Sequence, residues 1–392
     1  MKHEIPSSEH AELLNFTCQL INEQSISPNP ANCLNIIQEF CHSIGCQSQH
    51  FDHNHTSNIF ITSHPVKHFS FLFCGHIDVV PAGESKLWTS PPFKASIRNQ
   101  ILYGRGACDM KSSVASILMA LKRYMHNPLN TTPIAMLFTS DEEGLAQDGT
   151  RFAMQQLDEQ GYTFQQALVG EPTSQGNLGD TIKTGRRGSL TGSIEIRGKQ
   201  AHVAYAKSSE NPIFALANFI HNGCAHQWDS GHEHFPATQF CVTQVETPSN
   251  ASNVTPSFAK CNLNFRYNPA SSSDSLKAQV NELLDAENLP YNCSWNPASE
   301  PFYKKPGQFS NLVQNAIYQT CSTTAQLSTN GGTSDARFVS QYVDEIVEFG
   351  PLNSSAHAID EHIPLQDLYR LYLIYTHILV SVHSESKYNK IT

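Results

Sequence analysis

Apolar residues recur along this chain in short segments whose spacing alternates between helical and extended. Helical spacing covers residues 11–21 and 33–44, and the mostly apolar segment Phe69-Ser70-Phe71-Leu72-Phe73-Cys74 reads as a buried strand. Past a loop rich in Pro and Gly, Val114, Ile117, Leu118, Leu121 and Met125 share one helical face behind Lys111-Ser112-Ser113, which predicts an amphipathic helix with a serine cap. A strand at 134–138, a helix at 150–159 and a short strand at 167–169 follow. The order strand, helix, strand, helix, strand implies an α/β fold with a mostly parallel sheet and helices on both faces.

From about Arg187 the pattern changes. Longer alternating strands at 190–197, 240–246 and 258–266, with helices at 212–222 and 273–287, suit a small α+β domain. Helix and strand alternation then resumes at 309–321, 345–349 and 364–382. These shifts predict an α/β domain built from residues 1–186 and 301–392, interrupted by an inserted domain at 187–300. The most apolar stretch, 368–382, is broken by Arg370, Thr376 and His377 and is no membrane span.

Charge narrows the function classes. With 25 Lys+Arg against 35 Asp+Glu, a net charge of −10 and no basic block, the chain is not expected to bind nucleic acid, whose affinity rests on phosphate neutralisation. The 11 cysteines are scattered and form no Cys-x-x-Cys pair, which favours reduced thiols and excludes a zinc ribbon. Residues 1–9 lack the apolar core of an export signal, so a cytoplasmic location is expected, and the sequons Asn250-Ala251-Ser252 and Asn253-Val254-Thr255 then carry no weight.

In open parallel sheets ligands bind beyond the carboxyl ends of the strands, and here those positions are filled by metal-ligand types. The first strand runs into Gly75-His76-Ile77-Asp78, the next into Asp141-Glu142-Glu143-Gly144 and the third into Gly170-Glu171-Pro172. The loop before the amphipathic helix supplies Asp109, and the strand at 345–349 leads to His357. Imidazoles with carboxylates suit a pair of divalent cations, since a shared carboxylate bridges two ions. Each acid taken alone could equally cap a helix or face solvent. Residues two apart on extended backbone point the same way, so Asp78 can orient the imidazole of His76. Side chains of the adjacent Glu142 and Glu143 diverge, leaving one to bind metal and the other to act as a general base. A phosphate loop is excluded because Asp109 and Met110 stand where its Gly and Lys belong. Gly185-Arg186-Arg187-Gly188 reads as either a solvated turn or an anion site.

Together these motifs resemble the dizinc aminoacylase and carboxypeptidase superfamily: Gly75-His76-Ile77-Asp78-Val79-Val80-Pro81, Gly104-Arg105-Gly106-Ala107-Cys108-Asp109-Met110-Lys111, Asp141-Glu142-Glu143-Gly144 and Gly170-Glu171-Pro172-Thr173. A narrower likeness, to its desuccinylase branch, rests on Lys183-Thr184-Gly185-Arg186-Arg187-Gly188-Ser189, His202-Val203-Ala204-Tyr205, Phe265-Arg266-Tyr267, Gly331-Gly332-Thr333-Ser334-Asp335 and Gly350-Pro351-Leu352-Asn353. It spans nearly the whole chain in order.

The resemblance implies hydrolysis of the succinyl amide of N-succinyl-LL-2,6-diaminopimelate, a small-molecule substrate. It implies two zinc ions per subunit, with cobalt possible in one site: His76 and Glu171 on one ion, Glu143 and His357 on the other, Asp109 bridging. Glu142 would be general base and acid, with Asp78 supporting His76. The inserted domain would form a homodimer and present His202 to the opposite subunit as oxyanion donor. Arg186, Ser189, Tyr205, Asn253, Arg266, Gly332, Thr333 and Arg337 would line the substrate pocket. The sequence departs from the usual pattern at Ile77, Ser112, Ala206, Ser252 and the stretch from Ser354 to Asp360, without losing a ligand. Deacetylases and dipeptidases of the same superfamily would share the metal residues, and a noncatalytic dimeric binding protein would share the fold.

Overall fold

The mostly apolar segment 69–74 lies inside the strand His68–His76, the centre of an eight-stranded sheet in the computed structural model, which describes residues 7–248 and 251–388. Residues 1–6, read above for an export signal, and Asn250 of the first sequon lie outside the described residues. The sheet contains β1 (Gln47–His50), β2 (Asn58–Thr62), β3 (His68–His76), β4 (Ile134–Thr139), β5 (Thr163–Val169), β6 (Thr181–Lys183), β7 (Gln326–Ser328) and β8 (Glu345–Glu348). Their spatial order is β1-β2-β4-β3-β5-β8-β6-β7. β4, β3, β5 and β8 run parallel, β1 and β2 add an antiparallel hairpin to the edge, and β8 meets β6 through the single antiparallel pair Glu348↔Lys183.

Helices α1 (Ser7–Asn22), α2 (Cys33–Ser43), α3 (Lys111–Met125), α4 (Thr150–Glu159), α5 (Gln308–Cys321) and α6 (Leu365–Tyr388) accompany this sheet. Leu13 and Leu20 of α1, Ile117 and Leu118 of α3, Val313 and Ile317 of α5, and Leu371 and Ile378 of α6 pack with Phe71, Phe73, Met136 and Val347 in one cluster. Burying each such side chain is worth about 1.5–3 kcal/mol. The connection from β3 through α3 to β4 moves one way along the sheet, and that from β4 through α4 to β5 moves back past β3. Right-handed crossovers travelling in opposite directions leave their helices on opposite faces, which opens a crevice beyond the ends of β3 and β5.

The serine cap expected for α3 does not form. Met110 occupies the cap position, no side chain caps the helix, and Ser112 and Ser113 are buried within its first turn. The Lys111 amide instead donates to the Gly106 carbonyl at 2.9 Å, so a tight backbone entry replaces the side-chain cap.

Residues Met1–Thr184, Lys304–Ser328 and Ser334–Thr392 form one compact unit, and Gly185–Tyr303 with Thr329–Thr333 a second. The excursion Thr329–Thr333 has no counterpart in the expected division at 186 and 300. In the second unit four antiparallel strands run in the order Gln239–Glu246, Phe258–Tyr267, Gly188–Arg197, Tyr291–Trp295. Strict alternation along Phe258–Tyr267 turns Ala259, Cys261, Leu263, Phe265 and Tyr267 into the core. Helices Pro212–Ala225 and Ser273–Asp285 cover that face with Leu216, Phe219, Leu276, Val280 and Leu284. Both start with side-chain caps: Asn211 accepts from the Ile213 amide at 3.1 Å, and Ser272 and Ser275 form a capping box.

Candidate metal centre

His76 ends β3 and pairs with Thr139, the last residue of β4. Beyond Thr139 the chain turns through Asp141, Glu142 and Glu143, and two residues beyond β5 it reaches Glu171. These strand ends pack closely because Gly350 lies against Gly170 and Glu171: a Cβ at Gly350 would stand 2.5 Å from the carbonyl oxygens of both. The fourth element is the loop entering α3, which brings Asp109 beside His76. His357 arrives on a loop after β8 and holds the left-handed backbone conformation, with φ of 61°, that non-glycine residues rarely adopt.

The two carboxylate oxygens of Asp109 face different imidazoles. Oδ1 lies 3.2 Å from Nε2 of His76, and Oδ2 lies 3.3 Å from Nε2 of His357. Glu171 Oε1 stands 3.7 Å from His76 Nε2, and Glu143 Oε1 2.7 Å from His357 Nε2. The geometry thus gathers two sets, His76 with Glu171 and His357 with Glu143, around one shared carboxylate. Glu142 also comes within ligand distance: potential donor atoms of His76, Glu142 and Glu171, and separately of His76, Asp109 and Glu143, all lie within 4.8 Å of one another.

Asp78 sits differently from the expectation. Its carbonyl oxygen accepts from Nδ1 of His76 at 2.9 Å, while its carboxylate oxygen is 3.6 Å from that nitrogen. The carboxylate instead accepts the backbone amides of Glu142 at 3.2 Å and Glu143 at 3.1 Å. Asp78 therefore fixes the His76 tautomer through its main chain and the Glu142-Glu143 loop through its side chain. With the proton on Nδ1, the lone pair of Nε2 points at carboxylate oxygens, an arrangement that suits a cation between them.

Electrostatics agree with that donor set. Burial opposes a charge on His76, but the Asp109 hydrogen bond and the charges of Glu171, Glu142 and Asp78 outweigh it and hold the imidazole well above its usual range. The hydrogen bonds of Asp109 and Glu143 raise His357 to about 10. Burial works against ionised Asp109 too, yet His357 and His76 keep its carboxyl below the ordinary range. Burial, then the charge of Glu171, pushes Glu142 well up, and burial lifts Asp78 to about 6. A crowd of carboxylates with imidazole nitrogens is the chemistry of hard to borderline divalent ions, and the residues fit a zinc pair.

Most of the pocket residues expected from resemblance belong to the second unit. His202 pairs with Val254 on a two-stranded ribbon, and Val203 donates to the carbonyl of Asn253 at 3.1 Å, so His202 and Asn253 are neighbours. Nδ1 of His202 accepts from the Ala204 amide at 3.2 Å, which leaves the proton on an exposed Nε2, and the Tyr205 ring lies 5.8 Å away. Arg186 Nη1 donates to the Gly332 carbonyl at 3.3 Å, joining two more candidates, and Thr333 follows in the same excursion. Ser189 stands opposite Arg266 in the sheet, and its hydroxyl accepts from Asn264 at 3.1 Å. Arg337 lies in the first unit, stacked 4.3 Å over Phe338.

Two residues given no role above are tied into the centre. Glu361 and Arg105 form a buried ion pair of 2.7 Å, and Glu361 also accepts the Asp109 amide. Their only signal in the sequence is position: Arg105 lies in the Asp109 loop and Glu361 four residues past His357.

Comparison with known proteins identifies the family. The model of "Peptidase family M20/M25/M40" matches residues 72–381. Succinyl-diaminopimelate desuccinylase of Azoarcus sp. (strain BH72) is 40% identical over 367 residues, covering 93% of this chain and 96% of the relative. The enzyme of that name from Thiobacillus denitrificans is 37% identical over 380 residues, 96% of each. Among solved structures, an M20 family metallo-carboxypeptidase from Sulfolobus solfataricus superposes with a TM-score of 0.79 at 16% identity, over 95% of this chain and 99% of its own. A dinuclear metal binding peptidase of the M20 family from Bacillus subtilis gives 0.71 at 14% identity, over 96% and 99%.

Proposed function

Because this chain belongs to peptidase family M20/M25/M40, we propose that it is a dizinc hydrolase cleaving N-succinyl-LL-2,6-diaminopimelate to succinate and LL-2,6-diaminopimelate. The observation that carries the metal chemistry is Asp109, whose two oxygens each face a histidine. The substrate comes from the relatives that match nearly the whole chain under that name. In this reading His76 and Glu171 hold one ion, His357 and Glu143 the other, and Asp109 bridges, with cobalt accepted at one site.

When bound, the ions supply Lewis acidity and lower the pKa of a water towards ~7. Glu142 is the base: burial and its anionic neighbours raise its proton affinity, so it can take a proton from the attacking water and return it to the departing amine. Asp78 holds that base in place through the amides of Glu142 and Glu143. His202, exposed and with its Nδ1 taken by the Ala204 amide, donates through Nε2 to the developing oxyanion, and Arg186, Arg266 and Arg337 receive the substrate's carboxylates. The homodimer belongs to this proposal, supported by the open edge of the strand Gln239–Glu246 and exposed Phe214 and Val245 in the second unit. A cytoplasmic setting suits eleven free cysteines; among the described residues no helix is long and apolar enough to cross a membrane.

The test follows hydrolysis by the purified, zinc-loaded protein of N-succinyl-LL-2,6-diaminopimelate, N-acetylornithine and a dipeptide. Selective cleavage of the first, abolished by chelator and restored by zinc, is the expected result. Preferential cleavage of another substrate would overturn the pocket assignment and keep the metal chemistry.

A further inference from the structure

We propose that Glu361, paired with Arg105, is the positioning residue that sets the spacing between Asp109 and His357 and so completes the second metal position. The inference rests on the reading of those two residues as ligands and extends it to a residue that touches neither ion nor substrate.

Glu361 is fully enclosed, at 0% exposure, and both its oxygens are saturated. Oε1 accepts the amides of Cys108 and Asp109, each at 2.9 Å. Oε2 accepts the Gly106 amide at 3.0 Å and Nη1 of Arg105 at 2.7 Å. Its carbonyl accepts the Gly104 amide at 2.9 Å. One side chain therefore organises the turn that ends in Asp109. Gly106 makes the convergence of amides possible with a φ of +84°, and a Cβ there would meet Val79 at 2.8 Å.

Arg105 extends the grip to the other ligand. Its Nη2 donates to the carbonyl of His357 at 3.3 Å and its Nη1 to that of Ala358 at 3.2 Å. The next residue back, Asp360, accepts the Thr89 amide at 2.9 Å, so the His357 loop is held from two directions. The left-handed backbone of His357 persists because this frame over-determines it.

Placing a carboxylate here is electrostatically unfavourable. It is buried close to Asp109, and an ion pair in such a setting is a poor source of stability compared with apolar packing. What an apolar residue cannot do is accept three converging amides and a guanidinium at once. Glutamine has the same shape, but its amide group would present hydrogens to donors, so Glu361→Gln tests the acceptor role with little change in volume.

The experiment titrates zinc alone into metal-free protein by calorimetry, with thermal unfolding recorded in parallel. Wild type should bind two equivalents. In Glu361→Gln at least one equivalent should weaken by about 10- to 100-fold, the usual cost of losing a group that orients a ligand, and both weaken where the shared Asp109 shifts. Tyr124→Phe, which deletes a buried hydrogen bond to Thr132 away from both loops, should lower thermal stability and leave both equivalents intact. Both equivalents within about twofold of wild type in folded Glu361→Gln would overturn the proposal. If that variant does not fold, Arg105→Lys decides: it removes the fork on the His357 and Ala358 carbonyls but keeps the amide contacts of Glu361. Selective loss of one equivalent supports the proposal, and two unchanged equivalents overturn it. Wild type that binds two zinc ions but leaves the succinyl substrate intact would refute the substrate reading alone, whereas wild type that binds no zinc would remove the premise of both.

Discussion

The two units expose their chemistry to very different degrees. In the first, His76 is 1% exposed, and Asp78, Asp109 and Glu171 are buried with it. In the second, His202 and Asn253 stand in solvent and Tyr205 is 85% exposed. Enclosure strengthens every charge interaction and fixes ligand geometry before anything binds. Solvent-facing groups can act in a reaction only after a ligand or another protein surface strips their water, which suits recognition and stabilisation of a transient charge. The contrast sets the enclosed His76, Asp109 and Glu171 apart from the open His202 ribbon, with His357, its side chain 51% exposed, on the open side of the proposed ion pair.

Four outcomes would break or sharpen that division. The largest effect is expected from Glu142→Gln, which should lower kcat by about 10²- to 10⁴-fold with zinc content unchanged, read by steady-state kinetics and metal analysis. A variant near wild-type rate would remove Glu142 from the proposed mechanism. Phe219→Ala, in the core of the second unit, should destabilise that unit by about 3–5 kcal/mol in denaturant unfolding. Zinc stoichiometry should survive it, and loss of both ions would show that the units are not separable in this way.

His202→Ala should lower kcat by about 10²- to 10³-fold with both ions retained. Unchanged turnover would confine the chemistry to the first unit. The smallest change is expected from Arg266→Ala: KM for the succinyl substrate should rise by about 10- to 100-fold with kcat little altered, the signature of binding shared by ground and transition states. Equal falls in kcat and kcat/KM would assign Arg266 to the transition state instead.

How much of this was legible beforehand differs between the same regions. His76, Glu171 and the Asp141-Glu142-Glu143 turn stand just beyond buried apolar strands, where a charged residue has no packing role, and the strand-end rule reaches them without any relative to compare. His202, Tyr205 and Asn253 lie on an exposed ribbon among ordinary polar residues, and only the motif resemblance singled them out. The hairpin of β1 and β2 escaped because Asn58–Thr62 is only five residues long, with all of its positions buried, so that it carries no alternation. Glu361 escaped for a related reason: Asp360-Glu361-His362 has the look of a solvated turn, and the amides that converge on it come from residues more than 250 positions away. The serine cap failed because a backbone contact from Gly106 already satisfied the first amide of α3.

Asp78 links two things usually tuned apart. Its carbonyl sets which nitrogen of His76 is free, and its carboxylate carries the amides on which Glu142 and Glu143 hang. In the proposed mechanism the ion-holding imidazole and the proton-carrying glutamate consequently share one fulcrum. A displacement of that residue is expected to disturb both together. The same coupling removes a route for gradual change, since metal preference and base position cannot drift independently through this point of the chain.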